Sequence, residues 1–189
     1  PLLVEVARQA ALGLAAIHEA GIVHRDVKPD NLMIDDAQRV RVMDLGVAAV
    51  AGDETSGGFV GSLRYAAPEQ IEGHAVGPTA DLYALGVTLY ELAAGVPPFS
   101  ADDPRRLVRL HLEAAPRFPL RDDAPLGPFF EGVLETLLAK LPEERFASAA
   151  ELAAVLETGE SGSWWLANRD RRSGGRHAAW PEVPVRRAT

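Results

Sequence analysis

Four residues have the types and spacing to move a phosphoryl group. Asp26, Lys28 and Asn31 lie within six positions of one another, and Asp44 follows thirteen residues after Asn31, beside Leu45 and the flexible Gly46. Asp26 can accept a proton or orient a hydroxyl. Lys28 can neutralise a phosphate oxygen. Asn31 offers an amide oxygen and Asp44 a carboxylate, both suited to a hard cation such as Mg²⁺. An acid, a cation and two metal ligands are the parts phosphoryl transfer needs, because that reaction is mostly positioning and charge stabilisation.

Those four side chains need elements to hold them. Val6, Ala10, Gly13/Leu14 and Ile17 recur at helical spacing and predict an amphipathic helix over 3–20, with Gly21 as its stop. Ile22-Val23 reads as a short extended piece leading into the polar stretch. Leu32-Met33-Ile34 and Val40-Arg41-Val42-Met43 are β-like and are joined by the polar turn Asp35 to Gln38. A hairpin there carries Asn31 at one base and Asp44 at the other, which brings two candidate metal ligands side by side. Residues 47–66 are rich in Gly, Ser and Thr without a helical period and read as a loop. Pro68 to Ile71 reads as one helical turn. Thr79 is the expected N-cap of a buried helix over 80–94 that ends at Gly95. Further helices are expected near 102–114, 127–139 and 148–157, the last capped by Ser148 with Glu151 at its N3 position.

The run His24-Arg25-Asp26-Val27-Lys28-Pro29-Asp30-Asn31 resembles the catalytic loop of the eukaryotic-like, bacterial Ser/Thr protein kinases, H-R-D-x-K-P-x-N. Later landmarks follow in order: Asp44-Leu45-Gly46 for D-F-G, Ala67-Pro68-Glu69 for A-P-E, Asp81 with Gly86, Gly95 to Phe99, and Arg145 in its Pro-Glu-Glu-Arg-Phe setting. The resemblance covers roughly residues 2–156. It implies an α+β parent kinase, of which this part is the mainly α large lobe with a short β-hairpin. It also implies ATP and Mg²⁺, and a protein Ser/Thr hydroxyl as acceptor.

By that resemblance Asp26 is the base or orienter of the acceptor hydroxyl, Lys28 touches the transferred phosphate, and Asp44 and Asn31 ligate Mg²⁺. Lys28 fits Ser/Thr rather than tyrosine kinases. Leu45 stands where the family usually has phenylalanine and is expected to keep the apolar packing. His24 is expected to pack and hydrogen-bond within the loop rather than act as a base. Arg25 would pair with a phosphate on Thr55 or Ser56, whose blander reading is ordinary loop polarity. Gly61 and Ser62 would line the acceptor groove, with Ser62 bonding Asp26 and Lys28. Glu69 and Arg145 would form a buried ion pair, and Asp81 would anchor the catalytic-loop backbone.

Composition bounds the rest. The chain has 189 residues, 47% of them hydrophobic, which suits one globular domain. There is no cysteine, hence no disulfide framework and no thiol nucleophile, and this suits a reducing cytoplasm. Net charge is −8; residues 159–189 carry +3 and the remainder −11, an acidic body unsuited to nucleic acid. Seventeen arginines against two lysines point to a GC-rich, bacterial source. No apolar run reaches the length of a membrane span.

Residues 1–157 are therefore expected to form the large lobe, and 158–189 an Arg-rich flexible connector or the start of another domain. In that reading Trp164-Trp165 belong to the next segment, or else dock on the lobe. The sequence holds no G-x-G-x-x-G loop and no V-A-I-K lysine. The expectation is a large-lobe fragment of a longer chain, inactive alone, with a small lobe and further domains as partners. Two rivals are a non-catalytic kinase-like scaffold and a small-molecule phosphotransferase. The intact acid, lysine and ligand set argues against the first, and the Ser62 and Ala67-Pro68-Glu69 segments argue against the second.

Overall fold

The computed structural model describes residues 2–45, 49–50, 62–118 and 126–174. Seven α-helices and two small antiparallel sheets are described. Helix α1 (Leu2–Glu19) buries Val6, Ala10 and Leu14 of the expected stripe, with Ala7 and Ala11 beside them, while Ile17 is half-buried. Glu5 steadies its first turns through Arg8 and Gln9, at 2.7 and 2.8 Å. Gly21, with φ of +75°, turns the chain out of the helix, as only glycine does without strain.

Strands β2 (Leu32–Ile34) and β3 (Val40–Val42) form the expected hairpin, with Leu32 opposite Val42. Its turn is organised by the Asp35 carboxylate, which accepts from the main chain of Ala37 and Arg39 at 3.0 and 2.9 Å. Gln9 of α1 clamps the hairpin by accepting from the Val40 N–H at 2.8 Å. Gly13 permits that close approach, since a Cβ there would lie 2.9 Å from Val42 Cγ2. The loop expected over 47–66 departs from its reading at Ala49–Val50. These residues form β4 and pair with β1 (Ile22–Val23). Two residues of extended backbone are too few to leave a periodic signal in sequence.

Helix α2 is the single turn Pro68–Ile71, and α3 runs over Pro78–Ala94 to Gly95, whose φ is +74°. The start of α3 differs from expectation. Thr79 is not the cap; Gly77 is, without a side-chain bond, because Pro78 at the first position already has the helical φ. The Thr79 carbonyl instead accepts from Arg145. Helix α3 is buried on nearly all sides and forms the centre of the core with α1, α5 (Pro128–Leu137) and α6 (Ala149–Thr158). Gly86 lets α5 lie against it, for a Cβ there would come within 2.7 Å of Leu137 Cβ. Helix α4 (Pro104–Glu113) is capped by Asp103, which accepts from the Arg105 N–H. Ser148 caps α6 as expected, and Glu151 reaches back to the Ala147 N–H at 2.7 Å.

In its described part, up to Gly174, the expected flexible connector after 157 is helical. A 3₁₀ turn (Gly159–Ser161) leads into α7 (Ser163–Gly174). Trp164 and Trp165 sit against Phe129, and Trp164 also meets Phe146. Aromatic packing at a distant part of the chain orders a stretch whose own sequence carries no helical period.

Candidate active site

The polar stretch leaves β1 in an unusual backbone. Arg25 has φ of +66° and Asp44 of +61°, both left-handed for non-glycine residues. What holds the first of these is Asp81, fully buried at the start of α3. Its Oδ2 accepts from the His24 N–H at 2.8 Å and its Oδ1 from the Arg25 N–H at 2.8 Å. A third partner, which the sequence did not reveal, is His18 at the end of α1, with Nε2 2.8 Å from Oδ2. One carboxylate thus ties two helices and the loop together.

His24 is buried and bridges the loop to the far strand. Its Nε2 lies 2.9 Å from the Met43 carbonyl, and its Nδ1 accepts from the Asp26 N–H at 3.3 Å. The ring proton is assigned to Nε2 by that pairing. The imidazole braces both Asp26 and the residue before Asp44.

Asp26, Lys28 and Asn31 form one network. Lys28 Nζ lies 2.5 Å from Asp26 Oδ2, and Asn31 Nδ2 donates to the Asp26 carbonyl at 2.7 Å and to Oδ2 at 3.3 Å. The 3₁₀ turn Pro29–Asn31 folds the three side chains to one side. The Lys28 ammonium is held above its ordinary range, first by its bond to Asp26; burial opposes this, and the charges of Asp26, Asp30 and Asp44 add to it. Asp44 therefore belongs to the same electrostatic neighbourhood. It is placed there by the Met43 N–H, which donates to the Asn31 carbonyl at 2.8 Å and sets the two hairpin bases side by side.

The donor set fits a hard cation held jointly with phosphates. Asn31 spends its side-chain N–H groups on Asp26, which leaves its side-chain oxygen Oδ1 as the group to offer a metal, and Asp44 supplies a carboxylate. Among the described residues no cluster of three or more His, Cys, Asp or Glu side chains could cage a metal by itself. Leu45, expected to keep the family's apolar packing, is 45% exposed. Only part of its surroundings is described.

The remaining expected residues fall in three groups. Glu69 and Arg145 meet as a buried bidentate pair at 2.7 and 2.8 Å. Arg25 Nε is buried without a hydrogen-bond partner among the described residues. Ser62 is half-buried, and its expected bonds to Asp26 and Lys28 are not formed; those two bond each other instead. Thr55, Ser56 and Gly61 lie outside the described residues. Glu91 was not foreseen. It accepts from the Tyr65 hydroxyl at 2.8 Å and lies 3.8 Å from Arg64, fastening the stretch before α2 to α3. Burial, then the Glu91 bond, pushes the Tyr65 hydroxyl up to about 12.

The chain is similar to known proteins along most of its length. The family model described as protein kinase domain matches residues 2–155. A probable serine/threonine-protein kinase of Corynebacterium efficiens is 40% identical over 153 residues, covering 76% of this chain and 23% of the relative. Serine/threonine-protein kinase PknB of Mycobacterium leprae is 37% identical over 163 residues, 84% of this chain and 26% of the relative. PknB of Mycobacterium tuberculosis is 37% identical over 158 residues, covering 81% and 25%. The chain spans about a quarter of the length of these curated relatives.

Proposed function

The chain belongs to the protein kinase domain family, and from that premise we propose that it is the catalytic-loop half of a Ser/Thr protein kinase that moves the γ-phosphoryl of MgATP to a protein hydroxyl. The observation that carries this is the single network of Asp26, Lys28 and Asn31 with Asp44 at its edge. Asp26 receives the acceptor hydroxyl as hydrogen-bond donor and takes its proton late in transfer. Lys28, already cationic beside Asp26, draws in the phosphate oxygens. Asn31 and Asp44 would hold Mg²⁺, which would neutralise charge on the phosphates. The same set is the reason to prefer catalysis over a binding-only module.

The finer roles belong to this reading. Ser62 and Gly61 border the acceptor peptide. Arg25, whose buried Nε lacks a partner among the described residues, receives a phosphate on Thr55 or Ser56. Residues 1–189 alone transfer no phosphate, because no glycine-rich loop or β3-type lysine is among them. The full protein, its further domains and a cytoplasmic site of action are parts of the same proposal. Among the described residues no helix is long and apolar enough to cross a membrane.

The test is transfer from MgATP to a generic basic protein by the complete kinase. Asp26→Asn and Asp44→Asn should each lower turnover by about 10³-fold or more with the fold intact. Near-normal turnover in either variant removes that residue from the chemistry. Phosphopeptide mapping that finds Thr55 and Ser56 unmodified in fully active enzyme rejects the pairing of Arg25 with a phosphate there.

A further inference from the structure

Helix α7 lies beyond the stretch that defines the family, yet it is built into the fold. Its first turn is fixed by two neighbouring tryptophans. Trp165 meets the Phe129 ring edge-on at 5.8 Å, and Trp164 meets Phe129 at 6.2 Å and Phe146 at 5.3 Å. Asn168 Nδ2 closes the turn by donating to the Trp164 carbonyl at 2.7 Å. Phe129 opens α5, and Phe146 is only 2% exposed.

Phe146 directly follows Arg145, the residue that holds Glu69 of α2 and the Thr79 carbonyl of α3. The Arg145 side chain also returns to the carbonyls of Ala139 and Lys140. The position of the guanidinium therefore depends on how firmly the short stretch 139–146 is held. One face of that stretch is closed by Trp164 through Phe146.

We propose that α7 is a brace for the Glu69–Arg145 pair. Seated, Trp164 pins Phe146, Phe146 fixes the Arg145 backbone, and Arg145 holds α2 and the stretch from Ser62 to Ala67 that leads into it. Whatever binds or pulls on the chain past Gly174 then acts, at one remove, on the segment beside Asp26. The brace is a matter of packing and stands whether or not the chain transfers phosphate.

Hydrogen exchange on the 189-residue chain tests it. Trp164→Ala should speed exchange by about tenfold or more in 66–73 and 139–146, with α1 unchanged. Trp165→Ala, which loses contact with Phe129 but not with Phe146, should loosen α7 with a smaller effect on 66–73. Trp164→Phe, which keeps a ring, should restore most of the protection, and Leu166→Ala on the exposed side should change nothing outside α7. Faster exchange confined to 159–174, equal effects of the two tryptophans on 66–73, or a uniform loss that includes α1 overturns the brace. Because no arm measures phosphate transfer, failure here is separate from failure of the kinase reading.

Discussion

Glu69 and Arg145 face each other as a two-pronged buried pair although 76 positions separate them in the chain. The guanidinium spends its other N–H groups on the carbonyls of Thr79, Ala139 and Lys140 and lies 5.0 Å from the Tyr83 ring centroid. Five donors in a flat fork match that set of acceptors; a lysine ammonium does not.

Glu69→Gln should therefore cost about 3–5 kcal/mol of stability, since a buried guanidinium loses its counter-charge. Arg145→Lys should be nearly as damaging. Urea unfolding of the three chains measures both. A loss below about 1 kcal/mol for either would show that the pair contributes little.

Asp81→Asn replaces one acceptor oxygen with an N–H₂ where only donors converge. The His24 N–H, the Arg25 N–H and His18 then compete for a single oxygen. The expected loss is about 1–3 kcal/mol for each buried donor left unsatisfied. In the complete kinase turnover should fall with little change in ATP binding. His18→Ala should show a smaller version of both effects, measured by melting temperature and initial rates. An unchanged Asp81→Asn variant would remove Asp81 as the loop anchor.

Lys140 makes stability rise with pH. Its Nζ is buried without a hydrogen-bond partner among the described residues, and burial, then the nearby Arg145 charge, pushes it down to about 7. The Phe99 face, 4.3 Å away, offers the ammonium only partial compensation. Between pH 7 and the ordinary lysine value the unfolded chain holds a proton that the folded chain has shed. Raising the pH through that window strengthens the fold, by up to about 1.4 kcal/mol per unit. His111, lowered to about 4 chiefly by burial, adds an earlier rise between there and 6.5. Lys140→Met should abolish the upper rise and be more stable at pH 7. Denaturant midpoints from pH 5 to about 9.5 decide it. A flat profile in the native chain would place Lys140 in contact with water.

The hairpin presents apolar surface. Met33 and Ile34 are 50% and 55% exposed, and Met43 is also exposed. Exposed apolar side chains promote association. The 189-residue chain should bind a hydrophobic dye and self-associate, and Ile34→Lys should reduce both. Light scattering with dye titration checks this. A monodisperse, dye-free native chain would mean that this face is covered.

Much of the site was legible because its signals are local. A proton acceptor, a lysine and an amide in six residues name a chemistry without any folding, and α1, the hairpin and the α6 cap follow from spacing and capping chemistry over a few residues. Sequence alone also singled out Glu69, Asp81 and Arg145, through their motif settings.

Which distant partners complete each group came from the folded core. His18 looks like the end of an amphipathic helix until α3 brings Asp81 against it. Glu91 looks like one more residue of a buried helix until Tyr65 reaches it. The segment after Thr158 looks like a linker until Phe129 and Phe146 give Trp164 and Trp165 somewhere to pack. Local periodicity records the preference of a segment for itself. The energy of these contacts lies between surfaces far apart in the chain, and it exists only once the core has brought them together.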